Sequence, residues 1–410
     1  MKVEAVPPLH LTYCTNIHPG ESWPEVLANV RTHVTAVKAR VCPDRPFGVG
    51  LRLGAAAAEA LAAPDELGRF RGELAARGLY VFTVNGFPYG PFHGAPVKEA
   101  VYRPDWLEEA RLAYTDRLAE ILAALLPDAD DPALGPLEGS VSTVPGCFQA
   151  RGARAAVAEA CAERLRRQAL SLHRLRQTSG RTISLALEPE PACLLETTAD
   201  AVAFFGEHLF SRQAIAAFGR LAGLAAGAAE DALRRHLGVC LDACHAAVEM
   251  EDPAEALASL SAAGIRLGKV QVSAGLRIDP RRPGALAALA PFAEGVYLHQ
   301  TVIRHAGGRL ERIVDLPQAL AAERRDLGDE WRVHFHVPIF RASLPPFEST
   351  QPFTEELLRL VARSGASAHL EVETYTWDVL PDAHRGEPVV DAVARELTWA
   401  RERLAEAPPP

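Results

Sequence analysis

An α/β fold, with parallel strands inside and helices outside, is what this sequence predicts, and three features predict it. Short apolar runs rich in β-branched and aromatic residues alternate with longer Ala/Leu/Arg stretches of helical period. Repeating strand–helix units imply a parallel sheet with right-handed crossovers. About eight such units, with no Gly-, Ser- or Pro-rich linker between them, point to one (β/α)8 TIM-barrel domain over residues 1–410.

The strand candidates follow in order. They are "LHLTYCTN" (9–16), "FGVGLRL" (47–53), "LYVFTVNG" (79–86), "GSVSTVPG" (139–146), "RTISLALEPEP" (181–191), "LGVCLDACH" (237–245), "RLGKVQVSAG" (266–275) and "SAHLEVETYTW" (367–377). Two late segments remain. "VYLHQTVIR" (296–304) runs through "HAGG" into "RLERIVDL" and reads as a hairpin, and "WRVHFHVPIF" (331–340) reads as an extra strand. From Glu188 to Asp242 is 54 residues and from Asp242 to Gln271 is 29, but from Gln271 to Glu373 is 102. An insertion over 276–366 accounts for the excess. Either 266–275 or 331–340 could supply the seventh barrel strand.

Helix signals fill the gaps. "DELGRFRGELAARG" closes on a glycine, and Thr197 with Asp200 opens "TTADAVAFFGEHLF" as a capping box. "ARAAVAEACAERLRRQALSLHRLR" is long and amphipathic. "VVDAVARELTWARERLAEA" ends the fold before a loose Pro tail.

Bulk composition excludes several classes. The chain is 48% hydrophobic and 23% charged, with net charge -9, and its pI is about 5.9. No basic face marks a nucleic-acid binder. No apolar run approaches the ~18–20 residues of a membrane span, and the N-terminus has no signal core. A cytoplasmic protein acting on a small-molecule metabolite is expected. Seven scattered cysteines without a C-x-x-C pair read as reduced thiols. Cys240 and Cys244 flank Asp242 and are either ligands or small packing residues.

Barrel enzymes carry their chemistry at the carboxyl ends of strands. Here those ends are Glu188, then Asp242 with His245, then Gln271, and finally Glu371 and Glu373. His334 and His336 share a face of "VHFHVP" if that segment is a strand. Buried carboxylates are costly unless paired or bound to a cation, and this donor set suits Mn²⁺, Mg²⁺, Co²⁺ or Zn²⁺. Each motif also has a plain reading. Asp242 could cap the next helix. Glu371 and Glu373 could lie on a polar outer face, and His334 and His336 could be hydrogen-bonded core residues. In "NIHPGESW", His18, Glu21 and Trp23 either line the mouth or open the first helix. The loop "NGFPYGPFHG", with Tyr89, and the late Trp377 are candidates for the substrate pocket.

The order E-P, L-D-x-x-H and L-E-x-E resembles the xylose-isomerase-like barrels of the sugar phosphate isomerase/epimerase superfamily. The resemblance implies one divalent metal on Glu188, Asp242, Gln271 and Glu373, with Glu188 and Glu373 moving a proton in an enediolate mechanism. Two departures stand out. Gln271 replaces the usual His, so His336 is assigned as the substitute ligand. Glu190 stands where xylose isomerases carry the catalytic Lys, which argues against aldose isomerisation of that type. His245, His18, Tyr89, His334 and Trp377 are left to bind substrate. "LTYCTNIHPGESW", "STVPGCF", "LALEPEP", "CLDACHAAV", "YLHQ", "VHFHVPIF" and "HLEVETYTWDVLP" together resemble the EboE family of metabolite-traffic proteins from bacterial ebo gene clusters. Two alternatives stay open: a non-catalytic metabolite carrier, and a metallohydrolase of the abasic-endonuclease kind. The latter shares L-D-x-x-H but requires more histidines on early strands.

Overall fold

The computed structural model describes residues 1–3, 8–149, 152–322 and 326–406; the Pro tail lies outside them. Eight parallel strands form the barrel: β1 (Leu9–Tyr13), β2 (Phe47–Arg52), β3 (Leu79–Asn85), β4 (Gly139–Thr143), β5 (Ile183–Leu187), β6 (Leu237–Asp242), β7 (Arg266–Val272) and β8 (His369–Val372). They follow chain order around the sheet, and β8 sits between β7 and β1. Almost every residue in them is buried, as expected of strands covered on both faces.

Side chains close the seam between β1 and β2. Thr12 Oγ1 accepts from the Gly50 amide at 3.1 Å and donates to the Gly48 carbonyl at 2.7 Å. Thr15 Oγ1 accepts from the Arg52 amide at 2.9 Å. Gly50 must be glycine here, because a Cβ would overlap the Tyr13 carbonyl and the Glu371 carboxylate.

The helix signals are realised. Helices span Pro64–Ala76, Arg154–Ser179 and Val389–Ala405. Thr197 and Asp200 form the capping box of helix Thr198–Phe204. The seventh barrel strand is 266–272. In 331–340 only the start is extended: Glu330–Val333 pairs antiparallel with Thr301–Arg304 and Leu276–Ile278. His334 and His336 therefore lie beyond the strand, and their shared direction is not a strand's alternation. The hairpin Thr301–Arg304/Leu310–Ile313 belongs to the same six-stranded sheet, built from residues between 276 and 349. This sheet packs on helix Ala243–Val248 through Val302, Cys244 and Val248.

Glu371 points into the barrel, not outward. It pairs with Lys269 at 2.5 Å, and both are fully buried. Burial works against the Lys269 charge, but the Glu371 carboxylate raises its pKa above the ordinary lysine value.

Candidate metal centre and cavity

The strand ends deliver a polar floor. Glu188 follows β5, Asp242 ends β6, Gln271 lies near the end of β7 and Glu373 follows β8. Parallel register sets Gln271 level with Asp242 on one side and Glu371 on the other. Carboxylate oxygens of Glu188, Asp242 and Glu373 lie within 4.8 Å of one another, and all three residues are buried.

Asp242 is a helix cap through one oxygen. Its Oδ1 accepts from the amides of Cys244 at 2.7 Å and His245 at 3.0 Å, and from the Ser273 hydroxyl at 2.7 Å. Its Oδ2 has no hydrogen-bond partner. Burial pushes this carboxyl up, but the His245 and His336 rings, the Ser273 hydroxyl and the helix amide hold it below the usual range. Glu188 is the opposite case. Burial, then the charges of Glu373 and Asp242, push it well above its ordinary value, and its Oε2 has no partner. Burial and the Asp242 and Glu371 charges also raise Glu373. Its Oε1 nonetheless accepts from Asn16 Nδ2 at 2.7 Å and Asn85 Nδ2 at 2.8 Å.

Three imidazoles converge beside these acids. His334 Nε2 lies 3.1 Å from His245 Nε2 and 3.2 Å from His336 Nε2. Each Nδ1 faces an acceptor: the Pro189 carbonyl for His245 at 3.1 Å, the Glu373 carbonyl for His336 at 2.6 Å, and Gln300 Oε1 for His334 at 2.7 Å. The Gln300 amide nitrogen is spent on the Tyr102 hydroxyl, Glu190 and the Pro191 carbonyl, so its oxygen must face His334. Each Nδ1 is thus placed to donate its proton, and the three Nε2 atoms turn toward one another. Burial keeps His334 well below the usual imidazole value and lowers His336 to about 4, despite the pull of Asp242.

Three facing imidazole nitrogens and three crowded buried carboxyl groups make a site that a cation would relieve. The Lys269 charge partly offsets this crowding for Glu188 and Glu373, but Lys269 is already paired with Glu371. These residues fit a divalent ion: imidazole and carboxylate donors, with orphaned oxygens on Asp242, Glu188 and Gln271. Asp242 belongs both to the carboxylate set and to a set with His245 and His336. Cys244 groups with His334 and His336 in the same way, while also packing against Val248 and Val302.

A cavity opens above this floor, with about 530 Å³ of empty space, part of it open to solvent. Glu188, Glu373, His245 and His334 line it. His18, Tyr89 and Trp377, expected to bind substrate, do not. The turn Thr15–Ile17 leads His18 inward, where it meets the Tyr13 hydroxyl at 3.0 Å and stacks on His33. Tyr89 packs edge-on against Tyr114. Trp377 is buried in the main core, and Tyr375, two residues earlier, takes the wall position. Glu21 and Trp23 are also elsewhere. Glu21 receives the amides of Phe92 and His93 and pairs with Arg52, while Trp23 donates to Glu66.

Asn16, Asn85, Tyr102, Glu190 and Tyr375 line the cavity without having been singled out as site residues. Asn85 ends β3 as the acids end theirs, so the same strand-end reasoning applies to it. Gln300 lay inside the quoted "YLHQ", with no sign of its contact to His334.

Fold and site together define a TIM barrel with carboxylates and imidazoles gathered at its mouth. No protein-family model matches the chain, and no curated protein matches it. Solved structures of similar fold include the probable 3-DHS dehydratase AsbF of Bacillus anthracis, involved in petrobactin synthesis. It is 13% identical, with 95% of this chain and 98% of that one covered and a TM-score of 0.46. The IOLI protein with a bound zinc atom is 10% identical, covering 97% and 99%, at 0.47. A xylose isomerase domain protein from Planctomyces limnophilus is 12% identical, covering 87% and 89%, at 0.45. The fold assignment rests on the strand topology itself. No helix among the described residues is long and apolar enough to cross a membrane.

Proposed function

We propose that this barrel is a divalent-metal-dependent isomerase or epimerase of a small hydroxylated metabolite. The observation that carries the reading is the convergence of three imidazole Nε2 atoms beside three buried carboxyl groups. Glu188, Asp242, Gln271 and Glu373 would hold the ion, with His336 added from the segment before β8. A bound ion supplies Lewis acidity at a substrate carbonyl. Glu188, which lines the cavity, would take the proton from the adjacent carbon as general base. Glu373, steadied by Asn16 and Asn85, returns it. His245 and His334 orient substrate hydroxyls. The motifs spread along the chain support placement in the EboE metabolite-traffic family, within the xylose-isomerase-like superfamily.

The adjoining set of Asp242, His245 and His336 favours a second reading, a metallohydrolase, because two ligand sets sharing Asp242 suit two-ion hydrolysis. Elemental analysis of wild type, Asp242→Asn and Glu373→Gln tests the ion. About one divalent ion per chain, lost in both variants, supports the metal reading, and about two favours the hydrolase. No ion after reconstitution with Mn²⁺, Co²⁺ or Zn²⁺ sinks both and leaves the carrier. Solvent deuterium entering a substrate C–H marks the isomerase.

A further inference from the structure

The cavity wall differs in kind from its floor. Phe92, Val97 and Tyr297 form an apolar cluster separate from the barrel core, with Tyr375 and Val101 packed against it. The rings of Phe92, Tyr297 and Tyr375 stand 5.0–5.3 Å apart, centre to centre, in one group. All of these residues line the cavity. Two tyrosine hydroxyls of the wall are already used, since Tyr297 donates to the Phe92 carbonyl at 3.2 Å and Tyr102 to Glu190 at 2.6 Å. Those two tyrosines offer ring surface to a ligand. Tyr375 bridges wall and floor, its hydroxyl 3.4 Å from His334 Nε2.

The lining is also hostile to anions. Glu188, Glu190 and Glu373 face the space. Lys98 is the lone cation among the described lining residues. Its ammonium donates to Asp315 Oδ2 at 2.7 Å and to the Glu294 carbonyl at 3.2 Å. The helix amides nearest the floor, those of Cys244 and His245, are taken by Asp242. Phosphate recognition requires free Arg or Lys forks, or an uncapped helix N-terminus. Among the described lining residues a sugar phosphate would find neither, and only a bound ion, already facing the hydroxyl–carbonyl end, would be left to take its phosphate.

We infer that the substrate is uncharged and two-sided, with a hydroxyl–carbonyl end on the polar floor and an apolar ring against the aromatic wall. It is not a sugar phosphate. The inference rests on the isomerase reading for the orientation of the polar end, and its test is separate from turnover.

The test is calorimetric titration of the full chain, reconstituted with Mn²⁺, using two probes. One is 2-hydroxyacetophenone, an uncharged aryl α-hydroxyketone. The other is D-ribulose 5-phosphate. Binding of the aryl ketone at least about tenfold tighter is expected from burial of one ring. Equal or tighter binding of the phosphosugar, or no binding of the ketone, overturns the inference. Two variants localise the effect. Phe92→Ala should weaken the ketone about tenfold with metal content unchanged. Val101→Arg, which places a cation at the half-buried rim, should tighten ribulose 5-phosphate and weaken the ketone. If Phe92→Ala loses structure, the Val101→Arg inversion decides alone, and failure to invert counts against the wall. Deuterium exchange into the bound ketone is read separately. Its absence with selective binding intact refutes the isomerase reading and leaves the ligand class standing.

Discussion

Glu396 allows the energetics behind the site to be measured without knowing the substrate. It lies on the last helix, is 1% exposed, and accepts from the Ile339 amide at 3.1 Å and the Thr374 hydroxyl at 2.7 Å. Those bonds tie together the segment that carries His336 and the one that follows Glu373. Burial raises the Glu396 carboxyl from 4.5 to about 7, against the pull of those two donors. The folded chain therefore keeps a proton that the unfolded chain loses between pH 4.5 and 7. Stability falls as pH rises through that window, by about 1.4 kcal/mol per unit, or about 3 kcal/mol in total by pH 8. Glu396→Gln retains an oxygen acceptor for both donors and cannot ionise. Its stability relative to wild type should rise by about 3 kcal/mol between pH 4.5 and pH 8. At about 2 cal/mol/K per residue over a chain of 410, that is about 3–4 °C of melting temperature. Scanning calorimetry of both proteins at several pH values gives the difference. A melting-temperature gap constant to about 1 °C across the range would show that Glu396 does not hold the proton, and the reasoning would be wrong.

Three further outcomes are expected. Lys269→Met leaves the buried Glu371 without its ion-pair partner, so denaturant unfolding should show a loss of about 3–5 kcal/mol, largely recovered in Lys269→Met/Glu371→Leu. Thr12→Val removes the two Thr12 bonds at the β1–β2 seam and should cost about 1–3 kcal/mol, while Thr12→Ser stays near wild type. Gln300→Leu frees His334 Nδ1 from its acceptor; because His334 faces the substrate and not the ion, calorimetry should show 2-hydroxyacetophenone binding weakened about tenfold, with Co²⁺ content and helix content unchanged.

The barrel was legible because strands buried on both faces read as unbroken apolar runs, and each ended where a turn or helix signal began. Glu188, Asp242, Gln271 and Glu373 were legible for the same reason: a strand end is a fixed place in this fold. What followed the strands was harder. His18, Tyr89 and Trp377 sit in turns and loops, where one 3₁₀ step decides between core and cavity, and no periodicity reports that step. His334 and His336 were found, but on a wrong premise, since the extended pairing stops at Val333. Glu190 and Gln300 escaped because their role depends on a meeting across 110 residues. Nothing in either local sequence announces it.

The bond from Asn16 to Glu373 joins positions 357 residues apart. Closing so long a loop is entropically expensive, and such contacts form late. The floor of the cavity is therefore among the last pieces of the molecule to exist. A partly folded chain offers the histidines and acids of the mouth at most as local pairs, such as Asp242 with His245, without the Asn16 and Asn85 bonds that hold Glu373 among them. Competence to capture a ligand then serves as a certificate that the barrel has closed.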